Sequence, residues 1–227
     1  MNYLLAIDQG TSSTRVMVYT VHGELVTSSQ YPLTQYYPQT GWVEHDPEEI
    51  WEKTLAAMRD VLSRVPVEQI VTCGLTNQRE TTVIWNKKTG ACLAPAIVWQ
   101  DRRTAEYCKT LVVNESMIQE KTGLVPDPYF SATKLKWLLE NNSEAKELAD
   151  KGDLAFGTID SFLIWRLTKE RLHLTDVTNA SRTMLFNIKE EQWDLDLLDY
   201  FRIPESVLPK VCASDSHFGL IDKQWLG

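Results

Sequence analysis

Apolar and polar residues alternate in blocks at the start of the chain and predict three short strands. The apolar run at residues 3–7 is followed by the polar stretch 8–15, and a second β-rich run, 16–19, comes directly after it. A turn at 21–24 then leads into residues 25–29. Strands joined by tight turns pair in sequence order, so this part of the chain predicts an antiparallel meander.

A helix is predicted to begin just after residue 46. Asp46 suits the N-cap, Pro47 suits the first helical position, and Glu49 stands where it would complete a capping box. Apolar residues then recur at helical spacing: Ile50, Trp51, Leu55, Met58, Val61, Leu62 and Val65.

Two β-rich segments follow this helix. Residues 70–75 form the kind of uninterrupted β-rich run that is typical of a buried parallel strand. Residues 82–93 predict a hairpin with its turn at 86–90, and residues 96–99 predict one more strand that ends at Trp99.

Beyond residue 103 the pattern is mainly helical. Helical spacing occurs in the segments 104–111, 116–121, 131–141, 143–150 and 159–167. Ser131 is predicted to cap the third of these, the hydroxyl-rich segment 175–186 predicts a loop with a short strand, and residues 218–222 predict the start of a strand. A meander followed by alternating helices and strands predicts a mixed α/β domain with a partly antiparallel sheet.

Composition narrows the classes of function. The 227 residues include 43% hydrophobic and 24% charged residues, as expected for a globular protein. The formal net charge of −8 argues against sequence-independent nucleic-acid binding, which needs a cationic face. Four scattered cysteines without C-x-x-C spacing argue against a zinc site or a disulfide framework, and no apolar run is long enough to span a membrane, so we expect a cytoplasmic protein.

The polar tip of the first hairpin could bind phosphate. It holds Asp8, Gly10 and the hydroxyls of residues 11–14, and hydroxyls with backbone N–H groups at a glycine-containing tip can receive phosphate oxygens. A carboxylate just before them could hold a hydrated divalent cation. The alternative is an ordinary turn, because these residue types are also the usual turn formers.

A second group of candidates follows the ends of later strands. Asn77-Gln78-Arg79-Glu80 comes directly after the predicted parallel strand, at the end where ligands bind in open α/β sheets. Arg79 and Glu80 offer the donors and acceptors that a polyol requires. Trp99 could form the floor of a pocket, and Tyr129 stands in a loop before a helix. The alternatives are that Arg79 and Glu80 form a surface salt bridge, that Trp99 is a core residue and that Tyr129 is a packing residue. The four histidines show no metal-ligand spacing.

Six segments resemble the FGGY family of carbohydrate kinases, and its glycerol kinases in particular. The family signature is matched by Tyr129, Ser131, Lys134, Leu135, Trp137, Leu138, Glu140 and Asn141. The segments that resemble glycerol kinases are 8–15, 41–47, 76–82, 99–104, 122–131 and 175–186.

The resemblance implies an actin-like, ribonuclease-H-like fold in which ATP·Mg²⁺ and glycerol meet in a cleft to give glycerol 3-phosphate. By position, Asp8 matches the acid that organises Mg²⁺ through an intervening water. The phosphate-contacting residues correspond to Thr11, Ser12, Ser13 and Arg15. The glycerol-contacting residues correspond to Arg79, Glu80, Trp99 and Tyr129.

The chain also departs from the family, whose members are about twice this length. Their second lobe begins with a Gly-Asp-Gln segment that carries the general base, and no match to it occurs here. We therefore expect residues 1–227 to be the N-terminal lobe of a homo-oligomeric glycerol kinase, without a catalytic residue of its own and inactive in isolation. A lobe from a different FGGY kinase and a stand-alone polyol-binding module remain as alternatives.

Overall fold

The computed structural model describes residues 2–226. Twelve strands are seen in that range: β1 (Tyr3–Gln9), β2 (Ser13–Thr20), β3 (Leu25–Pro32), β4 (Glu44–His45), β5 (Ile70–Asn77), β6 (Val83–Asn86), β7 (Ala96–Ile97), β8 (Leu154–Gly157), β9 (Leu174–Asp176), β10 (Phe186–Asn187), β11 (Gln192–Trp193) and β12 (Lys210–Cys212). Eight α-helices accompany them: α1 (Pro47–Leu62), α2 (Ala105–Thr110), α3 (Glu115–Thr122), α4 (Ser131–Asn141), α5 (Ser143–Asp150), α6 (Ile159–Leu167), α7 (Val177–Ala180) and α8 (Leu195–Phe201). Short 3₁₀ turns lie at Val67–Gln69, Leu111–Asn114, Glu205–Val207 and Lys223–Trp225.

The main sheet has four strands in the order β3-β2-β1-β5. The predicted meander is confirmed, since β1 pairs with β2 and β2 with β3, both antiparallel. The predicted parallel strand is also confirmed, because β5 pairs with β1 in parallel register. It is an edge strand with Val71 55% exposed, however, and the expectation of full burial is wrong.

Helix α1 packs on β2 and β3 and begins as predicted at Asp46, whose carboxylate accepts from the backbone N–H of Glu48 at 2.9 Å. The predicted capping box does not form. The Glu49 carboxylate instead accepts from the backbone N–H and the hydroxyl of Thr34, at 3.3 and 3.1 Å. That contact joins α1 to the segment that follows β3.

The strand β8 is absent from the sequence-based prediction, and it changes the predicted hairpin at 82–93. β6 pairs antiparallel with β8. The predicted hairpin forms on the other edge of β6 as one bridge between Trp85 and Cys92, flanked by two backbone hydrogen bonds, from Asn86 N–H to the Ala91 carbonyl at 3.0 Å and from Leu93 N–H to the Ile84 carbonyl at 3.1 Å. The two faces of the β6–β8 pair lie in different cores: Trp85 and Ala155 pack in the core beneath the main sheet, and Ile84 and Phe156 pack in a second core around α4 and α8. A strand buried on both faces has no polar alternation, so its pattern does not reveal it.

The remaining helical predictions agree with α2 to α6 in type and position. The predicted strand at 96–99 ends at Ile97. Residues 175–186 contain the end of β9, the short helix α7, a turn and the first residue of β10. Residues 218–222 form only an isolated bridge at Ile221. Among residues 2–226, no helix combines the length and apolar character that a membrane span requires. The mixed sheet with helical insertions agrees with the predicted fold class.

Candidate functional site

The tip of the first hairpin is reduced to residues 10–12, because β1 and β2 extend further than the apolar pattern indicated. The backbone N–H of Gly10 donates to the carbonyl of Ser13 at 2.9 Å. A Cβ at position 10 would lie 3.2 Å from that carbonyl oxygen, so glycine allows this close approach. The tip therefore presents Thr11 and Ser12 from a tightly closed turn.

Arg15 and Ser13 are joined by one neighbour on β3. The side-chain oxygen of Gln30 accepts from Arg15 at 2.8 and 3.1 Å, and its amide donates to the hydroxyl of Ser13 at 2.8 Å. Both candidate phosphate contacts thus lie on β2 next to the tip, and Gln30 on β3 fixes their orientation.

Asp8 lies next to the hairpin tip, where a carboxylate could hold a hydrated cation. It lies at the end of β1, opposite Arg15 on β2 and Thr76 on β5. Its carboxylate is half-buried and makes no hydrogen bond or ion pair with any of residues 2–226. A magnesium ion keeps most of its waters and needs only one or two carboxylates, so this free group fits it. No cluster of three or more potential metal-ligating side chains occurs in the described range.

The structure brings three of the four candidate polyol residues together. Glu80 is 2% exposed, while the rings of Trp99 and Tyr129 lie 5.4 Å apart and are partly buried. The backbone N–H of Trp99 donates to the Thr81 hydroxyl at 3.3 Å, which ties Trp99 to the residue after Glu80. A carboxylate beside two aromatic faces suits a small polyol, whose hydroxyls donate and whose C–H groups pack on rings.

Arg79 is not part of this cluster. Its side chain is exposed and lines a groove beside β5, and within residues 2–226 it makes no hydrogen bond or ion pair. Its assignment as a glycerol contact stays a prediction from the resemblance.

Arg182 is the site residue that sequence reasoning missed. Its Nε donates to the Glu80 carboxylate at 2.6 Å, and its guanidinium lies over the rings of Tyr129 and Phe130 at 5.6 and 5.0 Å. Arg182 stands within the hydroxyl-rich segment 175–186, which was the available signal. The spacing along the chain gives no indication that it reaches a carboxylate 102 residues away.

Two sets of hydrogen bonds join this cluster to the hairpin tip. The indole N–H of Trp99 donates to the hydroxyl of Thr11 at 2.9 Å. The side-chain amide of Gln78 lies 3.3 Å from the carbonyl of Gly10 and 3.2 Å from Nδ1 of His45. Burial lowers the pKa of His45 to about 4, so the ring is neutral at pH 7 and its Nδ1 can accept from Gln78.

The groove beside β5 is a separate feature with a volume of about 840 Å³. Its walls include Leu75 on β5, Ile164 on α6 and Leu226, and its polar end holds Asp160 and Asp176. Burial raises the pKa of Asp160 to about 6. Glu80, Trp99 and Tyr129 do not line this groove.

Comparison with known proteins identifies related sequences along the whole chain. The model of the FGGY family of carbohydrate kinases, N-terminal domain, matches residues 3–226. A glycerol kinase from Dichelobacter nodosus is 51% identical over 99% of this chain, and glycerol kinase 1 from Pseudomonas aeruginosa is 52% identical over 100% of it. The chain spans only 46% and 47% of the length of these two relatives.

Solved structures agree with the fold. The glycerol kinase of Plasmodium falciparum with ADP superposes with a TM-score of 0.94 at 39% identity, over 100% of this chain and 46% of that one. A xylulose kinase from Lactobacillus acidophilus superposes with a TM-score of 0.89 at 24% identity, over 100% of this chain and 45% of that one. The second likeness concerns the fold alone.

Proposed function

The chain belongs to the FGGY family of carbohydrate kinases, and we propose that it is the glycerol-binding lobe of an ATP-dependent glycerol kinase. The relatives that support this substrate are named glycerol kinase and are 51–53% identical over nearly the whole chain. The reaction we propose for the complete enzyme transfers the terminal phosphoryl group of ATP to a glycerol hydroxyl.

The hydrogen bond between Trp99 and Thr11 is the observation that carries this proposal. It places the polyol cluster and the hydroxyl-rich hairpin tip in direct contact, as phosphoryl transfer between two bound substrates requires. Because the Thr11 hydroxyl accepts from the indole, its own proton is free to be donated to a phosphate oxygen.

Each residue of the cluster, together with Arg79 outside it, has a proposed part in binding glycerol. Glu80 accepts a hydrogen bond from a glycerol hydroxyl, Trp99 and Tyr129 pack against its carbon atoms, and Arg79 turns in from the exposed surface to a second hydroxyl. Arg182 keeps the Glu80 carboxylate in place. Glu80 therefore orients the substrate, and we assign the general base to a further segment of the enzyme.

The nucleotide side is proposed to involve the hairpin and its neighbours. Thr11, Ser12 and Ser13 donate to phosphate oxygens, and Arg15 adds a positive charge beside them. Asp8 would hold Mg²⁺ through water, and the ion would supply neutralisation of the phosphate charge.

The open edge of the main sheet supports the proposal that residues 1–227 form one lobe of a longer enzyme. Within residues 2–226, no strand pairs with the outer edge of β5, and the 840 Å³ groove runs along it. An exposed edge beside an apolar groove is a site where another strand can pair. We propose that a segment of the complete enzyme lies there, and that the enzyme is cytoplasmic, consistent with four free cysteines.

A chimaera tests the proposed function. Residues 1–227 are joined to the remaining C-terminal half of the Dichelobacter nodosus glycerol kinase, and ADP formation is measured with glycerol and with xylulose. We expect glycerol-dependent turnover from the chimaera and none from the isolated chain. A clear preference for xylulose would assign a different substrate, and turnover by the isolated chain would contradict the two-lobe proposal. Glycerol binding by the isolated chain with a folded but inactive chimaera would favour a binding module.

A further inference from the structure

Lys134 is a fully buried cation. The proposed mechanism gives it no role, and no ion pair within residues 2–226 compensates its charge. Its side chain is 0% exposed, and it forms no salt bridge with any carboxylate in residues 2–226. It stands in the first turns of α4, where the helix dipole disfavours a positive charge. Burial lowers its pKa to about 7. A buried ammonium is costly unless its three donors are satisfied.

The ammonium satisfies its donors on the loop that carries Tyr129. It donates to three consecutive main-chain carbonyls, those of Pro128 at 3.0 Å, Tyr129 at 2.5 Å and Phe130 at 3.0 Å. On the other side of the loop, the Asp127 carboxylate accepts from the backbone N–H of Tyr129 at 2.8 Å. The peptide groups on both sides of Tyr129 are therefore fixed.

The same turn of α4 also holds Glu80. Ser131 does not cap the helix as the sequence predicted, since Phe130 occupies the N-cap position. The Ser131 hydroxyl donates instead to the main-chain carbonyl of Glu80 at 3.1 Å. Glu80 has a φ of +64°, a left-handed conformation that costs a non-glycine residue energy and persists only when neighbours enforce it.

We propose that Lys134 and Ser131 are positioning residues of the polyol subsite, which act by fixing Tyr129 and the main chain of Glu80. This inference rests on the proposed function, because it takes Tyr129 and Glu80 as polyol contacts. It gives a physical role to the spacing Tyr129-x-Ser131-x-x-Lys134 in the family signature. The tyrosine is the contact, the serine anchors the main chain of Glu80, and the lysine fixes the loop.

Two measurements on the 227-residue chain test the inference. The variants are Lys134→Met, Ser131→Ala and, as a matched control on the same helix, Lys136→Met, whose ammonium contacts Glu140 and the Tyr107 ring instead of the loop. Amide hydrogen exchange reports the order of the loop, and an NMR titration with glycerol, followed at Tyr129 and Trp99, reports binding. Tyr129→Ala shows what loss of the contact itself does.

We expect Lys134→Met to raise exchange at the Tyr129 and Phe130 amides by about tenfold relative to the rest of the chain, and to weaken glycerol binding by a similar factor. Ser131→Ala should raise exchange around residues 80–82 and weaken binding less. Lys136→Met should leave the loop and the binding unchanged.

Uniform loosening of the whole chain by Lys134→Met, or wild-type glycerol binding by the folded variant, would overturn the inference. If Lys134→Met does not fold, Ser131→Ala decides, and unchanged exchange and binding in that variant count against the positioning role. If the Tyr129 and Trp99 signals of the wild-type chain do not change when glycerol is added, that result contradicts the proposed function instead. In that case, hydrogen exchange alone tests whether Lys134 and Ser131 hold the loop and the main chain of Glu80.

Discussion

Glu80 combines burial, a left-handed backbone and an ion pair in a single residue. Its carboxylate is 3% exposed, and the Arg182 guanidinium that pairs with it is 29% exposed. A pair of this kind stabilises the fold mainly because removal of one partner leaves the other buried without compensation. The Glu80–Arg182 pair is therefore a stability determinant as well as a part of the proposed site.

Arg182→Met should lower the free energy of unfolding by about 2 kcal/mol, because the Glu80 carboxylate stays buried without a cation. Urea denaturation of the isolated chain measures this change. Adding Glu80→Gln to Arg182→Met should restore part of the loss. Arg102→Met is the control, because its pair with Asp127 is 54% and 36% exposed and should contribute less than about 1 kcal/mol. Equal losses in the two arginine variants would contradict the argument.

Kinetics of the chimaera for glycerol and for ATP test the proposed substrate roles of Arg79 and Glu80. Glu80→Ala and Arg79→Ala should each lower kcat/KM for glycerol by about 100-fold, since a charged hydrogen bond contributes about 1.5–3 kcal/mol. The KM for ATP should change little. Because Arg79 is exposed in this structure, its variant should leave the unfolding free energy unchanged. A defect confined to ATP would show that the polyol site is misplaced.

At the scale of single elements, the two carboxylates at the start of α1 should contribute differently to stability. Asp46→Ala removes the carboxylate that accepts from Glu48 and should destabilise the chain by about 1 kcal/mol. Glu49→Ala loses only the exposed contact with Thr34 and should cost less than about 0.5 kcal/mol. Thermal or urea unfolding of both variants measures the difference. A larger loss from Glu49→Ala would indicate that the link to β3 matters more than the cap.

Two strand glycines give a second test at this scale. A Cβ at Gly157 on β8 would lie 2.5 Å from the Cβ of Ser161 and 3.0 Å from the Trp85 ring, whereas a Cβ at Gly74 on β5 meets nothing within 4 Å. Gly157→Ala should destabilise the chain by about 1–3 kcal/mol, because the tightly packed β6–β8 pair must shift. Gly74→Ala should be neutral or slightly stabilising. Denaturant midpoints of both variants measure this, and a similar loss at the two positions would contradict the packing argument.

The sequence predicts elements well where local physics decides them. The meander, α1 and the helices from α2 to α6 follow from periodicity and turn residues. β8 does not, because both of its faces are buried and its partner β6 is about 70 residues earlier in the chain. Ser131 was predicted as a cap because its residue type favours caps, but tertiary contacts with Glu80 redirect its hydroxyl.

The candidate site likewise contains residues that are close in sequence and residues that only the tertiary fold brings together. Asp8 and the hairpin hydroxyls are local in sequence, so the turn pattern alone places them together. Arg182 reaches Glu80, and Trp99 reaches Thr11, only through long-range packing. Such contacts depend on how the helical insertions fold back on the sheet, which residue spacing does not encode.

At the scale of the whole molecule, the β6–β8 pair contributes residues to both cores. Glu80 and Trp99 of the candidate site follow β5 and β7 along the chain. The groove beside β5 ends at Asp160. Its carboxylate accepts from the hydroxyls of Thr158 and Thr175, the latter at 2.7 Å. Those hydrogen bonds favour the charged form, but burial outweighs them, so the pKa of Asp160 is raised to about 6.

This raised pKa predicts a pH dependence of folding. In the unfolded chain the carboxyl group loses its proton near its ordinary pKa of 3.8, whereas the folded chain retains it until about pH 6. The folded state binds more protons in that window, so the Asp160 contribution to the free energy of unfolding falls as pH rises from about 4 to about 6, by about 3 kcal/mol in total.

Asp160→Asn cannot titrate, and its stability relative to the wild type should therefore rise through this window and level off above it. His45 and His173, whose pKa values burial lowers to about 4, have the opposite slope but cancel in the comparison of the two proteins. Urea denaturation at several pH values measures the difference, and a constant offset between the two proteins would contradict a protonated Asp160 in the folded chain.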